Sequence, residues 1–390
     1  MKHWYIVLLT LLCVACHHHE VEVPAIVSRH VVIVYMMAEN SISAYATDDL
    51  NEIRRAMGSI PDSCRMVVYF DDSSNERPKL LTFDKKKGEQ VLHEYTSDPV
   101  STDSATMQQV LELAIQQCPA RSYGLVLWSH GSGWIPAQPT AQAQAQPKRT
   151  IGIDNGSNSS SNSGTEMEIP TLANILRQTG VEWDYVFFDA CFMQGVEVAY
   201  ELRDVATWCI GSPAEIPGSG APYDYIMADL FAEREDAWTI ARDYYDYYIN
   251  RGGLVISAIR TGEMEALAEA TRPYVQSLDT YPSTDSIQKY LPVVNKNQWK
   301  PEYFDMGSAM GQWLYDDDYP EWREVLNRAV PHLYFTHYWT SQFTGNGGFY
   351  PVITDDDSYI ACLSMYIPVE ERRLNDYFTH TAWYRDVWLP

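Results

Sequence analysis

Val31-Val32-Ile33-Val34-Tyr35-Met36 is a continuous apolar run rich in β-branched side chains, the composition of a strand buried on both faces of a parallel sheet. Comparable runs recur at Met66–Phe70, Tyr123–Trp128, Tyr185–Phe188, Ala206–Ile210 and Leu254–Ile259. Helical spacing lies between most of them. Leu50, Ile53 and Met57 fall at i, i+3 and i+7, and Leu172, Ile175 and Leu176 follow Pro170 and precede Gly180. Strands alternating with helices imply crossover connections, and hence an α/β fold with a mainly parallel central sheet covered by helices on both faces. An aromatic-rich helix over Trp238–Tyr248 and a late strand near Tyr359–Tyr366 predict additional C-terminal elements.

The chain has 390 residues, 46% of them hydrophobic and 21% charged, which suits a packed globular protein and excludes disordered, collagenous and coiled-coil classes. Its net charge of −24 disfavours nucleic acid and anionic membrane surfaces as partners. The seven cysteines, at 13, 16, 64, 118, 191, 209 and 362, show neither zinc-site spacing nor a disulfide framework.

Lys2 precedes the apolar stretch Trp4–Ala15, too short to cross a hydrocarbon core of about 30 Å and suited to an export signal. Leu12-Cys13-Val14-Ala15-Cys16 resembles a bacterial lipoprotein cleavage box, with Cys16 the lipidated mature N-terminus. The expected organisation is a signal peptide over 1–16, a tether over 17–29, a peptidase domain over 30–262 and a C-terminal extension over 263–390 packed on it. The expected placement is the bacterial cell envelope, through an N-terminal lipid anchor and no other membrane contact, with the protein a monomer.

Two biased segments interrupt the pattern. Gln138–Gln146 is mostly alternating Ala and Gln and leads into Pro147-Lys148-Arg149, while Gly156–Gly164 consists wholly of Ser, Asn and Gly. Both read as exposed loops, and the dibasic step Lys148-Arg149 is a candidate site of activating cleavage.

Chemistry concentrates at two strand ends. In Leu125-Val126-Leu127-Trp128-Ser129-His130-Gly131-Ser132-Gly133-Trp134 an apolar run stops at a histidine followed by glycines; in Val186-Phe187-Phe188-Asp189-Ala190-Cys191 another stops at a cysteine, with helical spacing after it. Reactive groups of open α/β sheets gather at the carboxyl ends of strands. A cysteine opening a helix beside an imidazole is expected to have a lowered pKa and act as a nucleophile. Gly131 can bring its N–H close to a substrate carbonyl and, with the N–H of Cys191, form an oxyanion hole. Cys64, Cys118, Cys209 and Cys362 lack such settings and read as structural.

These blocks resemble the clostripain family of cysteine peptidases, of the clan that includes caspases, gingipains, legumains and separase. The resemblance rests on Ser129-His130-Gly131 with Gly133-Trp134, and on Phe188-Asp189-Ala190-Cys191-Phe192-Met193 running into Glu197-Val198-Ala199-Tyr200-Glu201-Leu202. Met37-Ala38-Glu39-Asn40, Ile151-Gly152-Ile153-Asp154, Met167-Glu168-Ile169-Pro170-Thr171-Leu172 and Ser212-Pro213-Ala214-Glu215-Ile216-Pro217-Gly218 support it. It implies a caspase-like sandwich, a His130/Cys191 dyad, an oxyanion hole at Gly131, and polypeptide substrates cut through a thioester acyl-enzyme. Asp189 belongs to the cysteine block, with helix capping or bonding to nearby backbone N–H groups as its expected role.

Several relatives cut after Arg or Lys, which needs an acidic pocket. Ser212, Glu215 and Ser219 mark the expected pocket segment, with Asp224 nearby, yet Ser219-Gly220 stands where basic-specific relatives are expected to carry an acid. No cofactor is expected to be required. Calcium helps some relatives, and the runs Asp316–Asp318 and Asp355–Asp357 offer carboxylates without EF-hand spacing. Neither G-x-S-x-G nor HExxH occurs. The alternative is a surface lipoprotein that keeps the fold and binds peptide or glycan without cleaving it.

Overall fold

The computed structural model describes residues 27–74, 77–135, 150–156, 164–290, 303–340, 349–351, 357–370 and 374–390. Its strands are β1 (Ser28–Ala38), β2 (Cys64–Asp72), β3 (Lys79–Asp84), β4 (Gly88–Glu94), β5 (Ala120–Trp128), β6 (Thr150–Asp154), β7 (Thr165–Glu168), β8 (Trp183–Asp189), β9 (Ala206–Gly211), β10 (Val255–Arg260), β11 (Phe304–Asp305), β12 (His332–Phe335), β13 (Tyr338–Thr340), β14 (Phe349–Pro351) and β15 (Ser364–Met365). Nine of them form one sheet in the order β12-β10-β9-β8-β5-β1-β2-β3-β4. The five strands from β9 to β2 pair in parallel. Antiparallel strands extend both edges, β3 and β4 beyond β2, and β10 and β12 beyond β9.

The helices used below are α1 (Ser43–Ala56), α2 (Ser104–Gln117), α3 (Ile169–Gln178), α4 (Val196–Glu201), α5 (Tyr223–Ile226), α6 (Thr239–Tyr248), α7 (Met264–Val275), α8 (Met306–Trp313) and α9 (Tyr319–Ala329). Because side chains alternate across a strand, β1 feeds two cores. Val31, Ile33, Tyr35 and Met37 pack with Val110 and Leu111 of α2, Leu172 and Leu176 of α3 and Leu267 of α7. Val32, Val34 and Met36 pack on the other face with Leu50 and Ile53 of α1, Ile226 of α5 and Tyr244 of α6. Each such side chain contributes about 1.5–3 kcal/mol by leaving water. Helix starts are encoded locally: Asp103 accepts from the N–H groups of Ala105 and Thr106 to begin α2, and Asp305 from Ser308 to begin α8.

The late strand is shorter than expected. Only Ser364–Met365 pairs, with β11, because Cys362 takes a left-handed φ of 49° and breaks the extended run. Upstream, the carbonyls of Tyr359 and Ile360 accept from Arg323 of α9, and the Ala361 N–H donates to Asp305. The expected boundary at 262 falls between β10 and β12, neighbours in the same sheet. Among the described residues no helix is long and apolar enough to cross a membrane.

Candidate active site

Parallel pairing puts the carboxyl ends of β1, β5, β8 and β9 on one edge of the sheet, so the segments after them meet. Together they enclose a cavity of about 540 Å³ whose lining includes Ser41, Tyr45, His130, Gly131, Asp189, Cys191, Glu215 and Gly220. The two residues singled out from separate strand ends therefore share one cavity.

His130 follows β5, and its loop is pinned from behind. Its carbonyl accepts from Gly152, and the preceding Ser129 donates to the Met37 carbonyl at 2.8 Å. Its Nε2 lies 2.9 Å from Ser41 Oγ. Burial lowers its pKa from the usual imidazole value.

Cys191 does not open a helix. Phe192 stands in the left-handed region at φ 61°, which stops helical winding, and α4 begins at Val196 behind Gly195. The turn is tied instead to the segment after β9, by Phe192 N–H to Ala214 O at 2.9 Å and Gln194 N–H to Ser212 O at 3.0 Å. The helix's positive end is thus displaced from the sulfur, and the expected lowering of the thiol pKa is reversed. Burial pushes the Cys191 thiol up to about 12; the Ile216 N–H opposes this while the charges of Glu215 and Asp189 reinforce it. Both shifts favour the uncharged forms, a thiol at Cys191 and an imidazole at His130.

Gly131 explains how the two loops come so close. A Cβ there would stand 2.6 Å from the Cys191 carbonyl oxygen and 2.8 Å from Met193 Sδ, so only glycine fits.

Asp189 is no helix cap. It accepts from the Ala221 N–H at 2.9 Å and the Tyr223 hydroxyl at 3.0 Å, and Gly220, at φ 63°, leaves its carboxylate open where a Cβ would come within 3.1 Å. Burial raises its pKa to about 7. Behind it, burial and the Asp189 charge raise Asp49, which accepts from Trp128 Nε1 at 2.7 Å, to about 9.

The pocket segment is only partly as expected. Glu215 lines the cavity. Ser212 is buried, its hydroxyl closing a turn on Ala214 N–H and C=O, and Ser219 is exposed with its Oγ 2.7 Å from the Tyr248 hydroxyl. Neither is among the cavity lining: Ser212 is tied to Ala214, and Ser219 lies in a turn closed by Gly220 N–H to Pro217 O at 2.9 Å, with its hydroxyl beside Tyr248. Asp224 pairs with Arg55 at 3.3 Å. Lys148, Arg149 and Cys16 lie outside the described residues. Ser41 and Tyr45 were missed: they follow the first strand, and no catalytic motif marks them. Cys64, Cys118, Cys209 and Cys362 are buried and form no disulfide.

Carboxylates suited to a hard cation occur away from the aspartate runs. Glu39, Asp71 and Asp154, all buried, bring one oxygen each within 4.8 Å of the others. Burial and mutual repulsion raise Glu39 to about 8 and Asp71 to about 9, and Asp71 Oδ1 lacks a hydrogen-bond partner. Asp316 and Asp317 are exposed, and Asp355 and Asp356 lie outside the described residues.

The clostripain family model, peptidase C11, matches residues 34–317. A secreted C11 cysteine protease from Bacteroides thetaiotaomicron, solved with an irreversible peptide inhibitor, is 31% identical; the match covers 92% of this chain and 99% of that one at TM-score 0.78. An inactive zymogen C11 protease from Parabacteroides distasonis is 26% identical, with 93% and 99% covered and TM-score 0.79. A Bacteroides thetaiotaomicron clostripain in complex with the peptide inhibitor BTN-VLTK-AOMK is 26% identical, with 58% and 96% covered and TM-score 0.50. Curated proteins give no match. A family of enzymes, over most of the chain, displaces the binding-only alternative. The sheet, the shared cavity and this match agree, and the chain belongs to the clostripain family of cysteine peptidases.

Proposed function

We propose that the protein is an exported endopeptidase in which Cys191 and His130 form the catalytic dyad and the cavity selects a basic side chain before the scissile bond. The carrying observation is that Asp189 and Glu215 line the same cavity as Cys191 and His130, while among the described residues no Lys or Arg is in its lining. A relative held by a peptide inhibitor with lysine next to its AOMK group is in keeping with this.

From the resting state of neutral thiol and imidazole, the Cys191 sulfur attacks the substrate carbonyl carbon as its proton passes to His130. The N–H groups of Gly131 and Cys191 receive the oxygen as it gains negative charge, a type of contact worth roughly 10²–10³ in rate. The C–N bond breaks, His130 returns the proton to the departing amine, and a thioester remains. Water, giving a proton to His130, then attacks the thioester; the acid leaves and the thiol is restored. General acid–base help of this kind contributes roughly 10²–10⁴-fold.

If calcium acts here, Glu39, Asp71 and Asp154 would hold it, and it would supply neutralisation of three buried carboxylates behind the His130 loop. Export and lipidation at Cys16, and activation at Lys148-Arg149, are parts of the proposal that rest on sequence. The secreted and zymogen relatives are in keeping with them. The test is cleavage of a mixed peptide library by wild type, Cys191→Ala, His130→Ala and Asp189→Asn. Wild type should cut after Arg and Lys, Cys191→Ala and His130→Ala should not cut, and Asp189→Asn should lose at least about tenfold of kcat/KM on basic sites. Turnover by Cys191→Ala, or cuts that ignore the preceding residue, would overturn the corresponding half.

A further inference from the structure

Tyr303 belongs to the C-terminal part of the chain, far in sequence from either member of the dyad, yet it touches the loops that carry both. Its ring stacks on Phe192, the residue after Cys191, with centroids 4.4 Å apart and planes 17° from parallel. Its hydroxyl donates to the carbonyl of Ser132, two residues after His130, at 2.9 Å. Both rings are almost fully buried, in an apolar cluster with Tyr290, Trp339 and Ile360.

What the ring holds is unusual. Phe192 has φ 61°, a conformation that a bulky residue keeps only when its surroundings impose it. Opposite it, Gly133 has φ 65°, and a Cβ there would stand 2.6 Å from the Phe192 carbonyl oxygen. The His loop and the Cys loop thus meet a second time, behind the cavity, and Tyr303 is clamped to both sides of that contact.

We infer that Tyr303 is a positioning residue that fixes the separation and orientation of the Cys191 thiol and the His130 imidazole without touching substrate. This rests on the dyad reading above. Misplacing reacting groups by about 1 Å costs on the order of 10² in rate, while the cavity that binds substrate is left in place. The signature is therefore a fall in kcat at constant KM.

The experiment measures kcat, KM and thermal unfolding for full-length wild type, Tyr303→Phe, Tyr303→Leu and Cys191→Ala on one peptide substrate. Tyr303→Phe keeps the stack and loses the Ser132 hydrogen bond, so kcat should fall about threefold to tenfold with KM unchanged. Tyr303→Leu loses both and should fall about 10²-fold while remaining folded at the assay temperature. Wild-type kcat in Tyr303→Leu, or a loss that merely follows the unfolded fraction, overturns the inference. If Tyr303→Leu does not fold, Tyr303→Phe decides alone: unchanged kcat overturns the inference and the kcat-only loss supports it. Turnover that persists in Cys191→Ala removes the dyad reading and this inference with it, whereas failure confined to the Tyr303 variants removes the inference alone.

Discussion

Cys191 and His130 stand out in the sequence because each ends an apolar strand, but their protonation does not. It is set by burial among segments distant in the chain. With the thiol pushed up to about 12, the thiolate fraction at neutral pH is small and grows with pH. Alkylation of Cys191 by iodoacetamide should therefore rise about tenfold per pH unit between pH 7 and 9. A plateau already reached near pH 7 would show a thiolate–imidazolium pair instead. Burial pushes the Asp189 carboxyl up, to about 7, so a cationic substrate side chain should bind better above that pH, and KM for Arg or Lys peptides should fall as pH rises from 6 to 8. A KM indifferent to pH over that window would separate Asp189 from recognition. Ser212 and Ser219 stand outside the cavity lining, a placement that escapes sequence reading as pKa values do, since closeness in sequence to Glu215 does not fix where a side chain packs.

The strands and helices were readable where periodicity is strong. β1, β5, β8 and β9 sit on the quoted apolar runs, and α3 has Pro170 in its first turn and ends just before Gly180. The start of α4 was not readable, since helical spacing after Cys191 says nothing of the left-handed Phe192 before it. At the β5 and β8 ends, Gly131→Ala should drive the two loops apart, because its Cβ meets backbone 2.6 Å away. A loss of at least about 10² in kcat/KM, with destabilisation of about 1–3 kcal/mol, is expected; wild-type kinetics would contradict the packing described. At the ends of β1, β2 and β6, Glu39, Asp71 and Asp154 converge. Glu39 and Asp71 keep protons in the folded state, to about pH 8 and 9, that the unfolded chain has lost by about pH 5. Their contribution to stability is full below that lower pH and is lost as pH rises to 8–9, by up to about 1.4 kcal/mol per pH unit for each proton. Thermal unfolding across pH 5–9 should show this decline, Asp71→Asn should lessen it, and calcium should offset it if the cluster binds the ion. A midpoint constant with pH in chelator would contradict the protonated cluster.

The nine-stranded sheet joins what the sequence divides. Apolar runs announced the parallel heart, whereas the edge strand β12 is short, half-buried and drawn from beyond residue 262. Ser257 of β10 donates to the Cys362 carbonyl and its own carbonyl accepts from Gln194, three residues after Cys191. Leu267 of α7, Trp322 and Leu326 of α9 belong to the same core as β1. A chain ending at residue 262 should consequently lose its cooperative thermal transition, and a sharp transition near that of the full chain would show the first 262 residues to be self-sufficient. The central claim, a peptidase that works through Cys191 beside His130 in an acidic cavity, is tested most directly by mass mapping after reaction with a lysine-ending peptide bearing a thiol-reactive group. The account predicts one adduct per chain, on Cys191, absent from Cys191→Ala and slowed in Asp189→Asn. Modification of Cys64, Cys118, Cys209 or Cys362 in place of Cys191, or equal reaction of the Cys191→Ala protein, would contradict it.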